Sequence, residues 1–156
     1  MNVSLRVTAP GMALVILLGV LGGAGAYTFV YAEGLSYVSD DPTVCVNCHI
    51  MREQFDGWQK ATHHTRATCN ECHLPHSFFS KYFAKARNGF FHSKAFTLQN
   101  FEEPIRIHEW NARRLQANCI ECHEDMVSMI RWSAGSRREE LDCARCHATA
   151  GHGASG

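Results

Sequence analysis

The sequence predicts a mostly irregular chain with short α-helices, led by one transmembrane helix and completed by a compact domain of two similar halves. Three observations predict it. An uncharged apolar run lies near the amino terminus, eight cysteines recur after it at fixed intervals, and no stretch alternates apolar and polar residues as a strand would. At 156 residues and zero formal net charge, the chain has room for an anchor and one domain, and its charge gives no reason to expect nucleic acid as a partner.

The anchor comes first. From Val7 to Ala32 there are 26 residues without Asp, Glu, Lys, Arg or His, more than the roughly 20 that cross a bilayer as a helix. A cleaved secretory signal competes with this reading: Arg6 makes a minimal positive start, Met12 to Val20 an apolar centre, and Ala24-Gly25-Ala26 a small-x-small cleavage site. Retention is favoured because Tyr27, Phe29, Val30 and Tyr31 carry the apolar run past that site. Residues 1–34 are therefore assigned to the anchor region and 35–156 to the domain beyond it. Positive charge precedes the helix and every cysteine follows it, so the positive-inside rule puts the domain outside the cytoplasm.

The cysteines form four Cys-x-x-Cys-His motifs with none left over: Cys45, Cys48 and His49; Cys69, Cys72 and His73; Cys119, Cys122 and His123; Cys143, Cys146 and His147. Two thiols three positions apart can each form a thioether to one porphyrin edge, and the next residue brings an imidazole beneath the iron. Each motif thus predicts one covalently attached c-type haem, four in all. A disulfide framework has no use for the histidines, and zinc would need pairs of motifs to converge while leaving those histidines idle. The motif starts are separated by 24, 50 and 24 residues, the signature of a duplicated two-haem unit, and a shift of 74 residues also lays Trp58 on Trp132.

Between the halves, Phe79, Tyr82, Phe83, Phe90 and Phe91 recur at helical intervals with Lys81, Lys85 and Arg87 interleaved. This predicts an amphipathic helix over 78–98, interrupted at Gly89. Its aromatic residues suit either porphyrin packing or the headgroup layer of a membrane. Around four haems the macrocycles must supply much of the core, so long irregular connections are expected.

Each iron takes a second axial ligand, and His63, His64, His76, His92, His108 and His152 remain to supply it. His63 or His64, and His152, lie a few residues from a motif. Met51, two residues after His49, is placed to compete with that histidine for the first iron; ordinary packing is its alternative role.

The anchor, the four motifs, the extension Cys45-Val-Asn-Cys48-His49-Ile-Met51 and the segment Lys85-Ala-Arg-Asn88-Gly resemble the NapC/NirT family of membrane-anchored cytochrome c quinol dehydrogenases over essentially the whole chain. Ser36-Tyr37, Asp41-Pro42, Trp58, His92-Ser-Lys-Ala-Phe-Thr-Leu98 and Ala112-Arg-Arg are most similar to the small subunits of ammonia-forming cytochrome c nitrite reductases. The resemblance implies a single-pass protein of the bacterial inner membrane with its haem domain in the periplasm. It implies oxidation of menaquinol and electron delivery to a periplasmic pentahaem nitrite reductase catalytic subunit, in a hetero-oligomer. Carried over by residue, Met51 ligates the first iron and frees His49; His73 and His152 ligate the second, His123 and His63 the third, with His64 the alternative to His63, and His147 the fourth. The fourth distal ligand is expected from outside the chain.

One residue departs from the family pattern. The family carries aspartate where this chain has Asn88, at the place where the quinol is expected. An amide can bond a quinol hydroxyl but cannot take its proton. Asn88, Lys81 and Lys85 are the candidate quinol-site residues, and Glu102 and Glu103 further ionisable candidates. Two alternative functions stay open: a tethered electron relay without its own quinol site, and a quinol dehydrogenase serving another periplasmic reductase such as nitrate reductase.

Overall fold

The computed structural model describes residues 8–134 and 142–153, and among them every regular element is helical. The α-helices are α1 (Ala9–Tyr31), α2 (Arg52–Lys60), α3 (Cys69–His73), α4 (Phe78–Leu98), α5 (Glu109–Cys122), α6 (Glu124–Ala134), α7 (Cys143–Cys146) and α8 (Thr149–His152). Tighter 3-10 turns cover Gly34–Val38, Pro42–Asn47 and His49–Met51. The chain divides into two compact units, Met1–Ser36 and Tyr37–Gly156.

In the first unit, α1 opens with Pro10 in its first turn, where a missing N–H costs nothing. Its 23 residues have a mean hydropathy of 2.0 over the most apolar window and none is buried. With no polar face to turn outward, it has the length and composition to cross a membrane.

In the second unit the protein buries few of its own apolar side chains: Leu74, Ala84, Ile120 and Val127 among the described residues. A core that small cannot by itself offset the conformational entropy of so long a chain. The chain is more helical, with shorter connections, than the expectation of a mostly irregular domain, because the motif segments themselves coil. The second and fourth motifs form the short helices α3 and α7, the third ends α5, and the first lies in the 3-10 turns.

Gly89 does not interrupt α4, which runs unbroken to a left-handed Gln99 (φ 54°). The glycine instead makes room for the ring of Tyr37, whose Cε1 would lie 2.9 Å from an added Cβ. Phe79, Phe83 and Phe90 are exposed along this helix. Trp58 lies on α2 and Trp132 within α6, but the side chain of Trp132 is outside the described residues.

Candidate haem sites and quinol face

The first motif is held by its own neighbours. Asp41 caps the turn carrying Cys45, its Oδ1 accepting from the Thr43 backbone N–H at 2.8 Å and from the Thr43 hydroxyl at 2.6 Å. None of the eight cysteines forms a disulfide, and cysteines of successive motifs lie close together. Cys69 lies within hydrogen-bond distance of Cys45. Cys72 feels the charge of Cys122, and Cys119 that of Cys143. The four motifs therefore follow one another in space as they do in sequence.

Two histidine pairs stand out. The rings of His73 and His152 are 6.0 Å apart, centroid to centroid, and tilted by 34°, and those of His63 and His123 are 6.0 Å apart at 81°. Two imidazoles on opposite sides of one iron have coordinating nitrogens roughly 4 Å apart, twice a metal–nitrogen bond of about 2 Å, and a ring radius at each end brings their centroids to about 6 Å. Each pair joins the histidine of one motif to a histidine outside the motifs, so the donor set fits haem iron.

The outer partners are also held in the tautomer a ligand needs. His152 Nδ1 is 2.8 Å from the Gln54 carbonyl and His63 Nδ1 is 3.1 Å from that of Ala150. A carbonyl only accepts, so each Nδ1 carries the proton and leaves the Nε2 lone pair for a metal. Burial, and then the neighbouring His152, lower the His73 pKa to about 4, which keeps that imidazole neutral. Gly57 makes this possible, because any Cβ there would collide with the His152 carbonyl and hold α8 off α2.

The choice between His63 and His64 follows from Trp58. Its indole N–H donates to the Ala67 carbonyl at 2.9 Å, and the His64 ring stands edge-on to it at 4.9 Å. His64 is thus engaged with the indole while His63 faces His123. His108 caps the start of α5, its Nδ1 accepting from the Trp110 N–H at 3.3 Å. His76 bonds the Glu71 carbonyl and Glu121. His92 is exposed on α4. His147 follows α7 and has no second imidazole opposite it among the described residues. His49 is exposed and Met51 partly buried in the turn that follows the first motif.

Lys81, Lys85 and Asn88 share one stripe of α4, at helical spacings of four and three. Lys85 is only 8% exposed; its Nζ donates to the Ser39 carbonyl at 2.6 Å and to Asp40 Oδ1 at 3.0 Å, while Lys81 pairs with Asp40 Oδ2. Asn70, inside the second motif, adds a bond to Asp40 Oδ1 at 2.8 Å. Hydrogen bonds from Lys81 and then Lys85 hold the Asp40 carboxyl down at about 2. Lys85 lowers the Cys45 pKa, and burial followed by the charges of Cys48 and Cys45 raises that of Tyr37, so this face lies beside the first motif. Glu102 and Glu103 are exposed on the connection between α4 and α5.

Asp40 and Asn70 were not singled out by sequence reasoning, and Tyr37 entered only as part of the family resemblance. The only local signal was the Ser39-Asp40-Asp41-Pro42 cluster, which reads as an ordinary turn.

An apolar amino-terminal helix followed by four Cys-x-x-Cys-His segments, two of whose histidines face a second imidazole, defines a membrane-anchored multihaem c-type cytochrome that carries electrons. The model of the NapC/NirT cytochrome c family, N-terminal region, matches residues 6–155, and the chain belongs to that family. It is 38% identical over 147 residues to the cytochrome c-type protein NrfH of Wolinella succinogenes, covering 88% of this chain and 83% of that one. It is 29% identical to the cytochrome c nitrite reductase subunit NrfH of Nitratidesulfovibrio vulgaris, over 85% of this chain and 82% of the other. Its fold is similar to a chain in the crystal structure of a cytochrome c nitrite reductase NrfHA complex bound to the HQNO inhibitor, with a TM-score of 0.62, 27% identity and 86% and 90% of the two chains covered.

Proposed function

We propose that this protein is a tetrahaem quinol dehydrogenase that oxidises menaquinol at the periplasmic side of the inner membrane and passes the electrons to a nitrite reductase catalytic subunit. The similarity to NrfH over most of both chains carries this reading. The similarity to a chain of the NrfHA complex supports the partner. Residues 1–34 anchor the chain and 35–156 form the haem domain, with each Cys pair joined to one haem. Met51 serves the first iron, His73 and His152 the second, His123 and His63 the third and His147 the fourth. The bound haems supply one-electron carriers that alternate between ferric and ferrous iron.

The protein's own groups prepare the quinol face. Lys85 and Lys81 already donate to Asp40, so they serve as positive hydrogen-bond donors to a quinol oxygen and favour the negative charge that grows there. Asp40, held at about 2, stays ionised at neutral pH and does not accept the proton either. Asn88 orients a hydroxyl through its amide. The two protons that accompany the two electrons therefore leave to water, and the positive lysine pair lowers the cost of releasing them.

The test is reconstitution of the purified protein in vesicles with a reduced menaquinone analogue, alone and with a multihaem nitrite reductase. Reduction of the haems by the quinol, followed by reoxidation on adding reductase and nitrite, is the expected outcome. Failure of the quinol to reduce a fully loaded protein refutes the dehydrogenase reading. Co-purification with a molybdenum enzyme refutes the choice of partner.

A further inference from the structure

A cluster between the second and third motifs is used neither for ligation nor at the quinol face. Asn118, the residue immediately before Cys119, is 6% exposed, and its side-chain amide nitrogen lies 3.0 Å from the Glu71 carbonyl, 2.9 Å from that of Cys72 and 2.8 Å from that of Leu74. Those carbonyls belong to the last turn of α3 and the residue beyond it, groups that a helix end leaves without partners of its own. One buried amide from the third motif, its two N–H groups shared among three carbonyls, therefore caps the end of the second. Leu74 and Ile120, beside it on the two segments, are among the few buried apolar residues.

His76 grips the same joint from its exposed side. Its Nε2 lies 3.0 Å from the Glu71 carbonyl and its Nδ1 3.1 Å from Oε1 of Glu121, which stands between the two cysteines of the third motif. Both ring nitrogens face acceptors, an arrangement that only the doubly protonated imidazolium satisfies fully. The charged groups facing it are Glu71 from α3 and Glu121 from α5. The Glu71 carbonyl bond and then the Glu121 bond raise its pKa.

We infer that Asn118 and His76 form a two-part latch that fixes the spacing and tilt of the second haem-attachment segment against the third, Asn118 permanently and His76 when protonated. Both are positioning residues, and the inference rests on the tetrahaem reading above. The sign of the pH effect follows from the raised pKa. The His76 contact is fully made below the ordinary histidine value of about 6.5 and is lost as pH rises through the higher native value.

The test uses the full-length holoprotein in its oxidised, ferric form, so that no quinol is needed. Asn118→Leu and His76→Gln are compared with wild type by mass spectrometry for haem content and by electron paramagnetic resonance for spin coupling between haems, across about pH 5 to 8. With four haems retained, Asn118→Leu should shift the signals of the second and third haems and leave the first and fourth unchanged. Glutamine at 76 should abolish the pH dependence of the second-to-third coupling. Unchanged signals in Asn118→Leu overturn the latch, as does a shift of all four together. Should Asn118→Leu fail to accumulate, His76→Gln decides alone, since retention of the wild-type pH dependence refutes the proposal. Wild-type protein carrying fewer than four haems sinks the tetrahaem reading and the latch with it; a tetrahaem protein that quinol cannot reduce sinks only the quinol assignment.

Discussion

Gly57→Ala tests the histidine pairs through a single methyl group. The added Cβ would overlap the His152 carbonyl, so α8 must move off α2. Overpacking of this kind costs about 1–3 kcal/mol. Movement of α8 displaces His152 directly, and also the Ala150 carbonyl that holds His63. If the strain is relieved by letting a ligand go, each 1.4 kcal/mol is a factor of ten, so dissociation of that ligand becomes about 5- to 140-fold more favourable. Magnetic circular dichroism of the oxidised protein should then show more high-spin iron than wild type, the increase arising from the second and third haems and reversed by added imidazole. Gly151→Ala is the control, because nothing lies within 4 Å of a Cβ there. It sits in the same short helix, where alanine is favoured over glycine by roughly 0.5–1 kcal/mol. A Gly57→Ala protein with no more high-spin iron than wild type, or a Gly151→Ala protein that behaves alike, would refute the reasoning.

Met51→Leu should change the spectrum of one haem while all four stay attached, as checked by mass and visible spectroscopy; loss of every haem would argue against a ligand role. Asp40→Asn should slow reduction by quinol, because Lys81 and Lys85 lose the carboxylate that fixes them, yet leave reduction by dithionite unchanged. The same variant should flatten the acid limb of a urea-stability profile. The lowered Asp40 pKa contributes stability above the ordinary carboxylate value of about 3.9 that is lost as pH falls through about 2. Trp58→Phe removes the bond to the Ala67 carbonyl and should cost about 1 kcal/mol in unfolding experiments; a normal third-haem spectrum in that variant would show that His63 needs no help from the indole.

What could be read in advance was what repeats or runs on. The anchor and the four motifs are local patterns, and each shows its chemistry within a few residues. Ligand partners beyond the motifs were legible only as a pool, since nothing near His63 or His64 says which of them the Trp58 indole will occupy. His76 and His108 stood in the same pool of free histidines, and their duties at helix ends appear only once those ends are seen. The Asp40 hub was invisible because its lysine partners lie 41 and 45 residues away. Gly89 was misjudged for the usual reason that glycine is read as a break, whereas here its missing side chain admits Tyr37.

The bonds that steady His63 and His152 join residues 87 and 98 apart in the chain. Each outer imidazole leans on the segment that presents the other, so neither can be set before α2 and α8 have met. The domain therefore closes late, paying its loop-closure entropy before ligation can repay it. Although the motifs repeat, a fragment carrying only the first two would attach its cofactors and still lack the His152 partner of His73. Two copies of one pattern thus fold as a single cooperative body, and division into halves should cost each half the histidine partner that the other supplies.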